Sequence, residues 1–294
     1  MKTPVFIGSS TAIVTPFRDG KVEYKKLGEL IDFQIAGGTA AITINGTTGE
    51  CSTQTLEEST ATIDFCVKHV NSRIKVIAGT GSNDTQSALF LAQAAEKSGA
   101  DALLMVTPYY NKTSQRGLVK HFNFLADRVS TPIILYNVPA RTGLSVTAAT
   151  YKELSKHPNI NGVKEASGDF KLIGTTLAMC GDDLHIWSGN DEDTVPMMSI
   201  GGLGVISVIS NIIPSVISEM TKLCLAGDFK KASEIHLKYF DLVDKLFIEV
   251  NPMPVKAALN LMGMDVGEPR MPLCDLAPEN LEKLKISMEA VNLI

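Results

Sequence analysis

The sequence predicts an α/β fold, a (β/α)8 barrel of the TIM type with a C-terminal extension of three helices. Two observations carry this. Between residues 5 and 228, eight short apolar runs alternate with segments of helical period, and eight strand-then-helix units in series match a closed parallel barrel. The runs are also continuously apolar, as expected of strands covered on both faces. An open doubly wound sheet is the alternative, but its usual GxGxxG turn is missing after the first run.

The first run, VFIGSSTAIVTPF, ends near Pro16, and the helix pattern KKLGELIDFQIAGG closes on Gly37 and Gly38. AAITI (residues 40–44) precedes the amphipathic LEESTATIDFCVKHV. KVIAGT precedes DTQSALFLAQAAEKSGA, where Asp84 is placed as an N-cap. ALLMVTP leads to GLVKHFNFLADRV, and PIILYNVP leads to VTAATYKELSKH. The sixth unit joins INGVKEASGD (residues 160–169) to KLIGTTLAMCG. LHIWSGN then leads to a short helix around residues 196–200, and GLGVISVIS to a helix after Pro214. Beyond Asp228 the strands stop. FKKASEIHLKYFDLVDKLF, VKAALNLMG and PENLEKLKISMEAVNL read as three helices, so residues 1–228 are assigned to the barrel and 229–294 to an extension packed on it.

Composition narrows the function. The 294 residues are 45% hydrophobic and 20% charged, with a net charge of −5 and no Lys/Arg cluster, which leaves no footprint for nucleic acid and favours a small-molecule partner. No run of about 18 apolar residues suggests a membrane span, and the N-terminus lacks the apolar core of a signal peptide. Five dispersed cysteines without CxxC spacing fit a reducing cytosol, so a cytoplasmic location is expected. Five scattered histidines give no metal-ligand pattern, and no metal is expected.

Barrels of this kind hold their chemistry at the C-terminal ends of the strands. There the sequence places Lys164, whose amine loses charge when desolvated and then attacks carbonyls as a Schiff-base nucleophile. A strand-end lysine facing solvent is the plain alternative for that residue by itself. Tyr136 ends the fifth strand and is suited to proton relay, and Arg141 beyond it to a bidentate carboxylate. NGTTGE (residues 45–50) offers the hydroxyls and N–H groups of Thr47 and Thr48 to a carboxylate or oxyanion. A plain turn needing positive φ at its glycines explains that loop equally well. Tyr109 and Tyr110 follow the fourth strand. Gly189 would leave room near an imine, and Ile206 is a candidate apolar wall. Glu165, next to the lysine, points the other way by alternation. One amine, one phenol, paired hydroxyls and one guanidinium together suit Schiff-base carbon–carbon chemistry on carboxylated substrates.

GTTGE at residues 46–50, YNVP at 136–139 and GVKEASGD at 162–169 resemble the pyruvate-dependent class I aldolase family that includes dihydrodipicolinate synthases and N-acetylneuraminate lyases. The resemblance covers essentially the whole chain, and the paired threonines, YYNK and PARTG are most similar to the dihydrodipicolinate synthase branch. It implies a lyase of lysine and diaminopimelate biosynthesis that condenses pyruvate with L-aspartate 4-semialdehyde, with no cofactor beyond a pyruvate imine on Lys164. It further implies that Tyr136 shuttles protons through Thr48 to Tyr110 of a neighbouring subunit, that Thr47 and Thr48 hold the pyruvate carboxylate, and that Arg141 takes the semialdehyde carboxylate. Gly189 and Ile206 match positions that line the site, and a homotetramer built from two tight dimers is implied. A sugar-acid or sialic acid aldolase is the rival on the same scaffold, and a keto-acid sensor without turnover is a rival of another class. Family members inhibited by lysine use a Tyr, an Asn, a Glu and histidines. Here Tyr109 and Asn83 match, whereas Ser87, Leu56 and Ser59 stand at the other positions, so lysine inhibition is expected to be weak or absent.

Overall fold

The computed structural model describes residues 2–294. Eight parallel strands close a barrel: β1 (Gly8–Ala12), β2 (Ala41–Ile44), β3 (Lys75–Gly79), β4 (Ala102–Val106), β5 (Ile133–Asn137), β6 (Ile160–Glu165), β7 (His185–Ser188) and β8 (Gly204–Ser207). Each pairs with its neighbours in sequence, and β1 closes on β8. The surrounding helices are α1 (Tyr24–Ala36), α2 (Leu56–Val70), α3 (Thr85–Ser98), α4 (Gln115–Ala126), α5 (Ala148–Leu154), α6 (Phe170–Cys180), α7 (Thr194–Ser199) and α8 (Pro214–Leu225). The barrel is thus the fold that the apolar runs predict. Their ends carry recognisable stops and starts. Thr55 and Glu58 form a reciprocal capping box on α2, and the Asp84 carboxylate accepts the Ser87 N–H at 2.7 Å on α3.

Period-2 alternation divides the strand residues between two apolar clusters. Ile77, Ala102, Leu104, Ile134, Tyr136, Trp187 and Ile206 fill the barrel interior, and Phe6 stacks on Trp187 with ring centroids 4.9 Å apart. Ile42, Leu103, Ile133, Leu135, Ile160 and Val163 face the helices. The alternation has one interruption. Ile133 pairs with Ile160, but Ile134 pairs with Gly162, so Asn161 is an extra residue in β6. Its amide donates to the Thr3 carbonyl at 2.8 Å, tying the bulge to the N-terminal strap.

The first of the three tail helices divides at Tyr239. Its halves, α9 (Phe229–Lys238) and α10 (Phe240–Lys245), pack against different elements, α8 and the last helix, so one straight helix does not serve both. Two further helices follow, α11 (Met253–Leu261) and α12 (Pro278–Ala290). The tail reaches back onto the barrel through Asn251, Lys256 and Arg270. Among the described residues no helix is long and apolar enough to cross a membrane.

Candidate active site

Lys164 is held on β6 between Tyr136 of β5 and Trp187 of β7, its strand partners in register. It is buried, and its Nζ lies 4.5 Å from the centre of the Tyr136 ring. Burial lowers the ammonium from its ordinary 10.5 to about 8; the Asp191 carboxylate opposes that shift and the Arg141 cation adds to it. The amine is therefore partly neutral near physiological pH, as a Schiff-base nucleophile requires.

Burial pushes the Tyr136 phenol up to about 12, against the pull of Arg141 and of a hydrogen bond with the Thr47 side chain. Here the structure corrects the sequence. Thr48 was the expected link to Tyr136, but both threonines line the cavity with different partners, and it is Thr47 that meets the phenol. The Thr48 hydroxyl instead accepts the Asn251 Nδ2–H at 3.0 Å. Nor do the glycines supply the unusual backbone of this loop. The left-handed conformation falls on Asn45 (φ 54°) and Glu50 (φ 55°), which bracket it.

PARTG contains a one-turn helix, Pro139–Thr142, begun by Pro139 and closed by Gly143 at φ 65°. This turn carries Arg141 to the rim, where its guanidinium donates to the Asn251 carbonyl at 3.2 Å. Thr47, Thr48, Tyr136, Arg141, Lys164 and Gly189 all line one cavity of about 770 Å³. A Cβ at Gly189 would stand 2.7 Å from the Ala166 Cβ and 3.1 Å from the Lys164 Cγ, so a side chain there would clash with Ala166 and crowd the lysine stem.

Two expected residues lie elsewhere. Ile206 belongs to the closed barrel interior, and Val208, two residues further on, lines the cavity in its place. Tyr110 is 92% exposed at φ 68° on the loop after β4, outside the cavity of its own chain. Glu165 faces the helices, as alternation requires. Its carboxylate accepts from Asn137 at 2.9 and 3.1 Å, the Tyr151 hydroxyl at 2.7 Å and the Ser167 N–H at 2.9 Å. Burial raises its pKa, and these bonds oppose the rise.

Sequence reasoning passed over two residues. Asp191, just past the SGN that ends β7, is buried and accepts the Val208 and Ile209 N–H groups at 2.9 Å each, fixing the end of β8 near the lysine. Asn251 bridges Thr48 and Arg141 and, with Phe247, Glu249 and Val250, makes the tail one wall of the cavity. The only signal for it was a polar residue before Pro252 at a helix joint. Among the described residues, no group of three or more His, Cys, Asp or Glu is arranged to hold a metal ion.

Comparison with known proteins matches residues 5–291 to the dihydrodipicolinate synthetase family. A relative from Thermoanaerobacter sp. (strain X514), named 4-hydroxy-tetrahydrodipicolinate synthase, is 53% identical over 99% of this chain and 98% of its own. One of the same name from Clostridium novyi (strain NT) is 48% identical over 98% and 97%. The crystal structure of dihydrodipicolinate synthase from Aquifex aeolicus superposes with a TM-score of 0.96 at 45% identity, covering 98% of this chain and 99% of that one. With full-length identity near one half and the same barrel, the chain belongs to the dihydrodipicolinate synthetase family.

Proposed function

We propose that the protein is a 4-hydroxy-tetrahydrodipicolinate synthase that joins pyruvate to L-aspartate 4-semialdehyde through an imine on Lys164. The observation that carries the chemistry is a buried lysine brought to about 8, stacked beside a Thr47-bonded tyrosine in a cavity rimmed by Arg141. The neutral amine adds to the pyruvate ketone, and the carbinolamine loses water to give the imine. Tyr136 sits where it can pass protons during that exchange, with Thr47 orienting its hydroxyl. Loss of a methyl proton gives the enamine, whose carbon attacks the aldehyde and whose nitrogen lone pair re-forms the imine. The amine of the second substrate then adds to the imine carbon, and Lys164 leaves as the amine. Thr48 and the loop N–H groups are assigned to the pyruvate carboxylate and Arg141 to that of the semialdehyde. Lys164 is itself the covalent carrier, and no metal or organic cofactor takes part.

The exposure of Tyr110 supports its use by a neighbouring subunit, in a homotetramer of two tight dimers. A cytoplasmic location and a role for residues 229–294 as a cover closing the catalytic barrel (1–228) complete the reading. Weak or absent lysine inhibition is also proposed. Leu56, Ser59, Ser87 and Tyr109 line one cavity of about 430 Å³ whose lining holds no carboxylate for a lysine ammonium.

The test is a coupled assay with pyruvate and L-aspartate 4-semialdehyde, following NADPH through added dihydrodipicolinate reductase, with Lys164→Ala beside it. Turnover that collapses in the variant supports the assignment. A borohydride-trapped pyruvate adduct without turnover would keep the imine chemistry and move the second substrate to a sugar-acid aldehyde.

A further inference from the structure

Lys256 is 1% exposed, on helix α11, with no part in the chemistry above. Its ammonium donates to Glu50 Oε1 at 2.8 Å, to the Glu268 carbonyl at 2.9 Å and to the Thr15 carbonyl at 3.2 Å, and lies 4.6 Å from the centre of the Phe17 ring. Glu50 closes the threonine loop in the left-handed conformation, and its second oxygen accepts the Arg270 N–H at 2.8 Å. Both charged side chains are shielded from water. A buried pair is weak support for stability, because the desolvation of two ions offsets most of their attraction. What the pair does hold is geometry.

Each of the two residues sits a few positions along the chain from a residue of the site. Glu50 lies two residues beyond Thr48 and three beyond Thr47, and its own N–H donates to the Thr47 carbonyl at 3.0 Å. Lys256 lies one turn beyond Pro252, the residue after Asn251, and its N–H donates to the Pro252 carbonyl at 3.0 Å. Across the cavity wall, Asn251 joins Thr48 to Arg141. Thr15 strengthens the same joint, its hydroxyl donating to the Gly49 carbonyl at 2.7 Å.

We infer that the Glu50–Lys256 ion pair is a positioning clamp that sets the Asn251 segment against the threonine loop and so fixes Arg141, held by the Asn251 carbonyl, for the carboxylate of the second substrate. Building on the proposed function, it gives the C-terminal extension a role in substrate selection. Lys164 is placed by its own strand, in register with Tyr136 and Trp187, so the amine that forms the imine keeps its position without the clamp.

The test separates stability from positioning. Replacing both partners with apolar groups, Glu50→Leu with Lys256→Met, removes two buried charges together and leaves neither unpaired. The double variant is expected to keep a Tm near that of the native protein and, at saturating pyruvate, its rate of borohydride-trapped adduct, while KM for the semialdehyde rises about tenfold or more. Glu50→Gln keeps the shape and a neutral hydrogen bond, and its semialdehyde KM is expected to rise about threefold. A folded double variant with native semialdehyde KM overturns the clamp. If the double variant does not fold, an unchanged KM in Glu50→Gln overturns it. Loss of pyruvate trapping in proportion to turnover also overturns it, since that marks general disruption. A native protein that fails to turn over the semialdehyde overturns the functional reading first, and the clamp with it.

Discussion

Replacing Lys164 with Met is expected to abolish imine formation and at the same time stabilise the protein. The lysine is buried, and its ammonium is brought from 10.5 to about 8. That difference corresponds to about 3 kcal/mol, at about 1.4 kcal/mol for each tenfold change in acidity. Below pH 8 both folded and unfolded chains carry the proton, so the folded state bears the full cost of the buried charge. Between about 8 and 10.5 the folded chain releases the proton while the unfolded chain keeps it, and the native protein recovers that stability as pH rises. Methionine has similar length and no charge, but gives up the contact with the Tyr136 ring, worth about 1 kcal/mol. The net gain at pH 7 is on the order of 2 kcal/mol, or roughly 4–6 °C in Tm for a chain of this size. Thermal denaturation of both proteins at pH 7 and pH 10 measures it. A variant no more stable than the native protein at pH 7 would refute the reasoning, as would a gap that does not narrow by pH 10.

The rate of borohydride-trapped pyruvate adduct should rise with pH through about 8 and level off above it, following the neutral fraction of Lys164; a rate that falls across that range contradicts the lysine as nucleophile. Tyr136→Phe should lower kcat by about a hundredfold, Thr47→Val should act in the same direction, and the double variant should be scarcely worse than Tyr136→Phe alone, because one hydroxyl orients the other. Steady-state kinetics that give the product of the two single losses would separate their roles. Arg141→Ala should raise KM for the semialdehyde at least about tenfold while leaving pyruvate trapping intact; equal loss of both would count against its assignment. Titration with L-lysine should leave turnover near its starting value at sub-millimolar concentrations, and strong inhibition there would refute the reading of Ser87, Leu56 and Ser59.

The barrel was legible because continuous apolar runs and capped helices are local signals, and Asp84 capping α3 is the plainest example. Lys164, Tyr136 and Arg141 were legible because each ends or follows such a run. Which threonine meets Tyr136 was not legible. The direction of a loop side chain depends on backbone angles that sequence spacing does not give, and here the left-handed residues are Asn45 and Glu50. That the Ile206 side chain lies in the barrel interior and Val208 lines the cavity was not legible for a related reason. The apolar run continues past the strand end, so the level at which the interior opens into the cavity is set by barrel geometry. Asn251 was hidden because its importance lies in a contact across more than two hundred residues. The division of the first tail helix at Tyr239 likewise answers to tertiary packing more than to helical periodicity.

The extra residue in β6 works as a frame-setting insertion. Ile160 faces the helices, and strict alternation from it would turn residue 164 the same way. The bulge at Asn161 reverses the parity, so that Gly162 and Lys164 face inward while Val163 and Glu165 face out. Without it, Tyr136 would stand level with Val163, and the lysine would point into the helical layer beside Asn137. The inward direction of Lys164 thus depends on one unpaired residue three positions upstream, much as a codon's meaning depends on where reading began.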